Sequence, residues 1–158
     1  MAAPAGAQVI VNDRADVAAL ASAAGVHVGQ DDLSPDAVRR LMGPDRIVGF
    51  STHTVVQLDH AVQQPVTYVA VGPIFGTASK NTGYDPVGLA LVEAAAARAR
   101  PRGLQVVAIG GITLERAADV IRAGADSVAI ISDLLTSGDP RARVREFLRA
   151  LDGASHKV

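Results

Sequence analysis

Cysteine and tryptophan are missing from this 158-residue chain, which has only two tyrosines and three phenylalanines. Without cysteine there is no disulfide framework, no thiolate zinc site and no thiol nucleophile. No charge of either sign dominates: 15 basic and 16 acidic side chains leave a net charge of −1. That balance excludes the basic surface field of a general nucleic-acid binder. No apolar run reaches the roughly 18 residues that would span a bilayer, so no membrane association is expected. The segment 1–7 has neither a basic region nor a long apolar stretch and does not read as a secretory signal, so a cytoplasmic location is expected. Lysine is nearly absent as well: Lys80 and Lys157 stand against 13 arginines.

What is present is apolar residue content of 49%, too much for intrinsic disorder. One domain over 1–158 is expected, with 1–8 and 152–158 as flexible ends. Six β-branched runs recur along the chain, at 9–11, 25–28, 47–50, 66–71, 104–109 and 127–131. They are mostly continuous rather than alternating, which suits strands of a parallel sheet covered on both faces. Helical patterns fill the intervals. One covers 13–24 and stops at Gly25. Ser34-Pro35-Asp36 opens the next as N-cap and first turn, and Gly43-Pro44 closes it. Others cover 54–64, 88–100 and 113–123, and the last begins at Asp139-Pro140 and runs to Leu148 or Leu151. Strict alternation of this kind defines an α/β class with about six β/α units.

Ligands of parallel α/β folds gather at the C-terminal ends of the strands. Almost every residue in that position here is polar or glycine: Asn12-Asp13, Gly29-Gln30-Asp31-Asp32, Ser51-Thr52-His53, the long loop from Gly72, Gly110-Gly111 and Ser132. Asp13 and Asp32 follow neighbouring strands. Two carboxylates on one rim suit a hard divalent cation, or each caps the helix that follows. Lys80, with Thr77 and Ser79 beside it, is a candidate anion contact or an ordinary solvated lysine. Gly110-Gly111 and Ile131-Ser132 form two corners whose backbone N–H groups suit a phosphate; the glycine pair alone is equally compatible with a tight turn. His27 reads as a packed, hydrogen-bonded strand residue, and His53 and His60 find no catalytic partner.

The ordered set Val11-Asn12-Asp13-Arg14, Gly25-Val26-His27-Val28-Gly29-Gln30-Asp31-Asp32, Gly49-Phe50-Ser51-Thr52-His53-Thr54, Val71-Gly72-Pro73-Ile74-Phe75-Gly76-Thr77-Ala78-Ser79-Lys80, Ala108-Ile109-Gly110-Gly111-Ile112 and Ala129-Ile130-Ile131-Ser132 resembles the thiamine-phosphate synthase family. The resemblance implies an incomplete TIM-type (β/α)8 barrel and a transferase. That enzyme couples a pyrimidine diphosphate to a thiazole phosphate through a dissociative substitution and releases pyrophosphate. It implies Mg²⁺ on Asp13 and Asp32 with Asn12 beside them, Ser51 and Lys80 on the pyrophosphate, and Thr77, Ser79, Gly111, Ile131 and Ser132 on the thiazole phosphate. The related thiazole tautomerases carry His where Pro73 stands, and proline has no proton to transfer. The family also places two β/α units ahead of the strand at Val9, the second bearing a Gln, Arg and Lys set for pyrophosphate. Residues 1–8 hold no basic group. An impaired relative that binds thiazole phosphate, or a tautomerase-like protein, is therefore the alternative. Six strands leave two open edges, so homo-oligomer formation through them is expected.

Overall fold

The computed structural model describes residues 6–76 and 83–155. Six strands form one sheet: β1 (Ile10–Asn12), β2 (Gly25–Val28), β3 (Ile47–Thr52), β4 (Tyr68–Val71), β5 (Gln105–Ile109) and β6 (Ser127–Ala129). They lie side by side in chain order, and all five pairings are parallel. An order that never reverses, joined by right-handed crossovers, puts every helix on the same face. The sheet therefore curls as a half-barrel with its helices outside, an incomplete TIM-type fold.

The helices are α1 (Ala15–Leu20), α2 (Pro35–Met42), α3 (Val55–Ala61), α4 (Gly88–Ala99), α5 (Leu114–Arg122), α6 (Ser132–Leu135) and α7 (Pro140–Ser155). Ser34 Oγ accepts from Ala37 N at 3.4 Å, and Thr54 Oγ1 accepts from Gln57 N at 3.1 Å, so both hydroxyls cap their helices. Helix α1 is shorter than the 13–24 expected, because Asp13 (φ +64°) and Ser22 (φ +51°) have left-handed backbone. Helix α7 runs past the expected end at Leu148 or Leu151 and closes at Ser155. No helix among the described residues is long and apolar enough to cross a membrane.

The outer face of the sheet carries Val26, Val28, Val48, Val69, Val71, Val106 and Ala108, all fully buried against the helices. Each such valine contributes roughly 1.5–3 kcal/mol relative to an exposed one. The strand register sets the opposite parity on the inner face: Asn12 pairs with His27, His27 with Gly49, and Gly49 with Tyr68. His27, Ser51, Tyr68, Val107 and Ile109 are only half-buried there, and Asn12, Gln105 and Ser127 are exposed. The continuous runs suggested strands covered on both faces, and among the described residues the inner face is covered less than the outer. Among the described residues only one layer of helices packs on the sheet.

Candidate active site

The C-terminal rim is built in two groups. On β1–β3, Asn12 is the last residue of its strand, and the Asp13 N–H donates to His27 O at 2.8 Å. That bond holds Asp13 directly beyond the β1–β2 pair. The Asp32 carboxylate accepts from Gly29 N at 2.7 Å and folds the β2–α2 loop back on its own strand. Gln30 Nε2 donates to Ser51 O at 2.6 Å and ties that loop to β3. Ser34 caps α2, and the N-cap position of α1 is Arg14, without a side-chain cap bond.

Ser51 Oγ lies 2.8 Å from His27 Nε2, and His27 Nδ1 lies 3.0 Å from Tyr68 Oη. The His27 and Tyr68 rings stack across β3, with centroids 5.6 Å apart and planes 16° from parallel. Between them is Gly49, whose missing side chain leaves the space the Tyr68 ring fills. Burial pushes the Tyr68 phenol above its ordinary pKa of 10.0.

On the other side of the rim, Ile74 N donates to Ile109 O at 2.9 Å and Phe75 N to Gly110 O at 3.0 Å. The start of the β4–α4 loop is therefore laced to the end of β5. Gly110 (φ +97°) and Gly111 (φ +62°) permit this approach, since a Cβ on either would enter the backbone of that loop. The Arg116 guanidinium sits 4.7 Å over the Phe75 ring and covers the same junction. Ile131 and Ser132 form the corner that opens α6. Asp133 joins the two corners: its carboxylate accepts from Leu114 N at 3.1 Å and from Arg143 at 3.0 and 3.1 Å. Hydrogen bonding to Asp133 holds the Arg143 guanidinium above its usual pKa range.

Of the residues expected from the sequence, Asn12, Asp13, Asp32 and Ser51 are brought to adjacent strand ends, and Gly111, Ile131 and Ser132 to the far corners. Thr77, Ser79 and Lys80 lie outside the described residues. Sequence reasoning missed the partners of His27, and with them Tyr68 and Gly49. A glycine inside a strand is a signal of close approach, but only the register shows what approaches. It also missed the Asp133–Arg143 clamp and the His53–Tyr84 stack, whose ring centroids are 3.9 Å apart. His53, for which the sequence offers no Asp or Ser partner, has Gly72 O on Nδ1 and Tyr84 against its ring.

Oxygen donors at Asn12, Asp13 and Asp32 suit Mg²⁺, which binds through one or two carboxylates and substrate phosphates while keeping waters. No group of three or more His, Asp or Glu side chains gathers as a protein-only metal cage among the described residues. Asn12, Asp13 and Asp32 are the oxygen donors on this rim that could hold such an ion together with a substrate phosphate.

A singly wound β/α half-barrel with carboxylates, a serine and glycine corners along its C-terminal rim defines an incomplete TIM-type protein. The family model for thiamine monophosphate synthase matches residues 1–134, and the chain belongs to that family. It is 51% identical over 141 residues to the thiamine-phosphate synthase of Roseiflexus sp. (strain RS-1), covering 89% of this chain and 58% of the relative. It is 50% identical over 143 residues to that of Koribacter versatilis, covering 90% and 65%. The chain thus spans less than two thirds of the length of either. Among solved structures, thiamine phosphate pyrophosphorylase from Pyrococcus furiosus superposes with a TM-score of 0.86 at 26% identity, covering 96% of this chain and 71% of that one.

Proposed function

We propose that this rim joins a pyrimidine diphosphate to a thiazole phosphate with release of pyrophosphate, the reaction of thiamine-phosphate synthase. The observation that carries the reading is 51% identity over 141 residues with a protein of that name. The arrangement of Asn12, Asp13, Asp32 and Ser51 at adjacent strand ends supports it.

In a dissociative substitution the carbon–oxygen bond to the diphosphate breaks with its electron pair leaving on pyrophosphate, and the thiazole then bonds to the cationic carbon. The protein has to stabilise the departing charge and hold the nucleophile in place. Asp13 and Asp32, with Asn12, are the residues that would hold Mg²⁺. The bound ion supplies neutralising charge to the diphosphate oxygens. Ser51 and Lys80 contact the same leaving group. Thr77 and Ser79, with the backbone at Gly111 and Ile131-Ser132, hold the thiazole phosphate. Among the described residues β1 and β6 each pair on one side, and such edges support a homo-oligomer. The charged substrates do not cross a bilayer unaided, which supports a cytoplasmic location.

The test is incubation of the purified chain with both substrates and Mg²⁺, with thiamine phosphate measured by mass spectrometry. Product that accumulates with time together with pyrophosphate is expected. Folded protein that yields none above the blank overturns the reading. Light scattering tests the assembly, and a monomer that resists concentration contradicts it.

A further inference from the structure

Three polar side chains from three different strands form a line of hydrogen bonds on the inner face, from Tyr68 through His27 to Ser51. Both ring nitrogens of His27 are engaged, so the direction of one bond sets the direction of the other. A neutral imidazole accepts at one nitrogen and donates at the other. For a neutral ring, two patterns satisfy the line. In the first, Tyr68 O–H donates to Nδ1, and Nε2–H donates to Ser51 Oγ. In the second, Ser51 O–H donates to Nε2, and Nδ1–H donates to the phenolic oxygen.

A phenol is a strong donor and a poor acceptor. The first pattern therefore prevails. It occupies the Ser51 oxygen as an acceptor and leaves its hydroxyl hydrogen to point at a ligand. We propose that Tyr68 and His27 are positioning residues that fix the Ser51 hydroxyl as a hydrogen-bond donor, selecting an anionic oxygen such as that of a diphosphate. The proposal rests on the synthase reading for the identity of the ligand. The second pattern would instead present Ser51 to a donor, which a diphosphate oxygen is not. Gly49 is part of the device, because its bare backbone lets the Tyr68 ring reach His27 across β3.

The test needs no turnover for its first readout. Long-range ¹H–¹⁵N correlation spectra of the labelled chain, with His27 assigned by loss of its signals in His27→Gln, report the neutral tautomer. The Nε2–H form is expected, and the Nδ1–H form overturns the proposal. The second readout is calorimetric binding of inorganic pyrophosphate with Mg²⁺. Tyr68→Phe keeps the ring and removes the donor, and it should weaken binding by about tenfold, the scale of a hydrogen bond to a charged group. The same change made on top of Ser51→Ala should cost nothing further. An equal loss in both backgrounds overturns the relay in favour of a purely structural role. His27→Gln, whose amide N–H reaches toward Ser51, should retain more affinity than His27→Ala. An Nε2–H result in a chain that forms no product supports the relay and counts against the synthase reading alone.

Discussion

The Tyr68 ring occupies the space where Gly49 would carry a side chain: a Cβ built on Gly49 stands 2.5 Å from Tyr68 Cε1. No carbon pair tolerates that distance, so Gly49→Ala must push the ring off its stack with His27. The ring is the free end of a side chain, and it can move. The stability loss is therefore expected at the overpacking scale of about 1–3 kcal/mol rather than as failure to fold. Urea unfolding measures it, and the His27 ring signals should shift in the same variant. Unchanged His27 signals would mean that the ring contact does not depend on Gly49.

Tyr68 also gives a pH signature. Its folded pKa is raised above 10.0 by burial, so the folded state holds the phenolic proton more tightly than the unfolded chain does. The resulting stability is fully present below the unfolded pKa and is lost as pH rises through the higher folded value. Absorbance titration of tyrosinate should show a component rising later than free tyrosine. That component should vanish in Tyr68→Phe. A single transition at the free value would contradict the burial assignment.

The six strands and the helices between them were legible as β-branched runs separated by helical stretches, and the rim residues as whatever followed each run. Sidedness was not legible. Val26-His27-Val28 alternates, but Val48-Gly49-Phe50 reads as one apolar piece, and nothing local says that Gly49 faces His27. The His27–Tyr68 bond spans 41 positions and exists only once β2, β3 and β4 are in register. Helix α6, with four residues, is too short to show a 3.6-residue period. The clamp between Asp133 and Arg143 depends on how α6 meets α7, which no spacing in the chain encodes.

The glycine corner responds differently from Gly49 because its neighbour is backbone. A Cβ on Gly110 would stand 2.6 Å from Pro73 Cα, at a residue with φ of +97°. Positive φ and a clash with main chain together should cost Gly110→Ala about 2–4 kcal/mol. Gly138→Ala is the control: its φ is +80° with nothing within 4 Å, so only the backbone term of about 1 kcal/mol applies. Equal losses in the two variants, read by urea unfolding, would show that the β4–α4 loop yields.

Asp133 binds Leu114 N and the Arg143 guanidinium at once. The side chains of Asp133 and Arg143 are 17% and 20% exposed, so water replaces the lost partner poorly. Asp133→Asn keeps an acceptor for Leu114 but removes the charge that pairs with Arg143. A fall in Tm of about 3–6 °C is expected by differential scanning fluorimetry. If Ser132 holds a thiazole phosphate, that ligand should also bind more weakly, because Ser132 adjoins the clamp. A Tm unchanged in low salt would mean that the pair contributes nothing.

The two rim aspartates separate structure from metal binding by one substitution each. Asp32 Oδ2 accepts the Gly29 N–H, and asparagine can keep that bond through its carbonyl oxygen while losing the negative charge. Asp32→Asn should therefore leave the β2–α2 loop and the thermal midpoint nearly unchanged. If Asp32 holds Mg²⁺, losing one charged ligand should raise the Mg²⁺ concentration needed for half-maximal rate on the order of tenfold. Asp13→Asn should do the same, and the backbone bond from Asp13 N to His27 O survives that change. Titration of the initial rate with Mg²⁺ in both variants is the measurement. A requirement for Mg²⁺ equal to that of the unsubstituted chain would assign Asp32 to the loop alone, as the partner of Gly29. A large drop in thermal midpoint without a change in Mg²⁺ requirement would do the same through the opposite observable, because the charge itself would then be holding the turn.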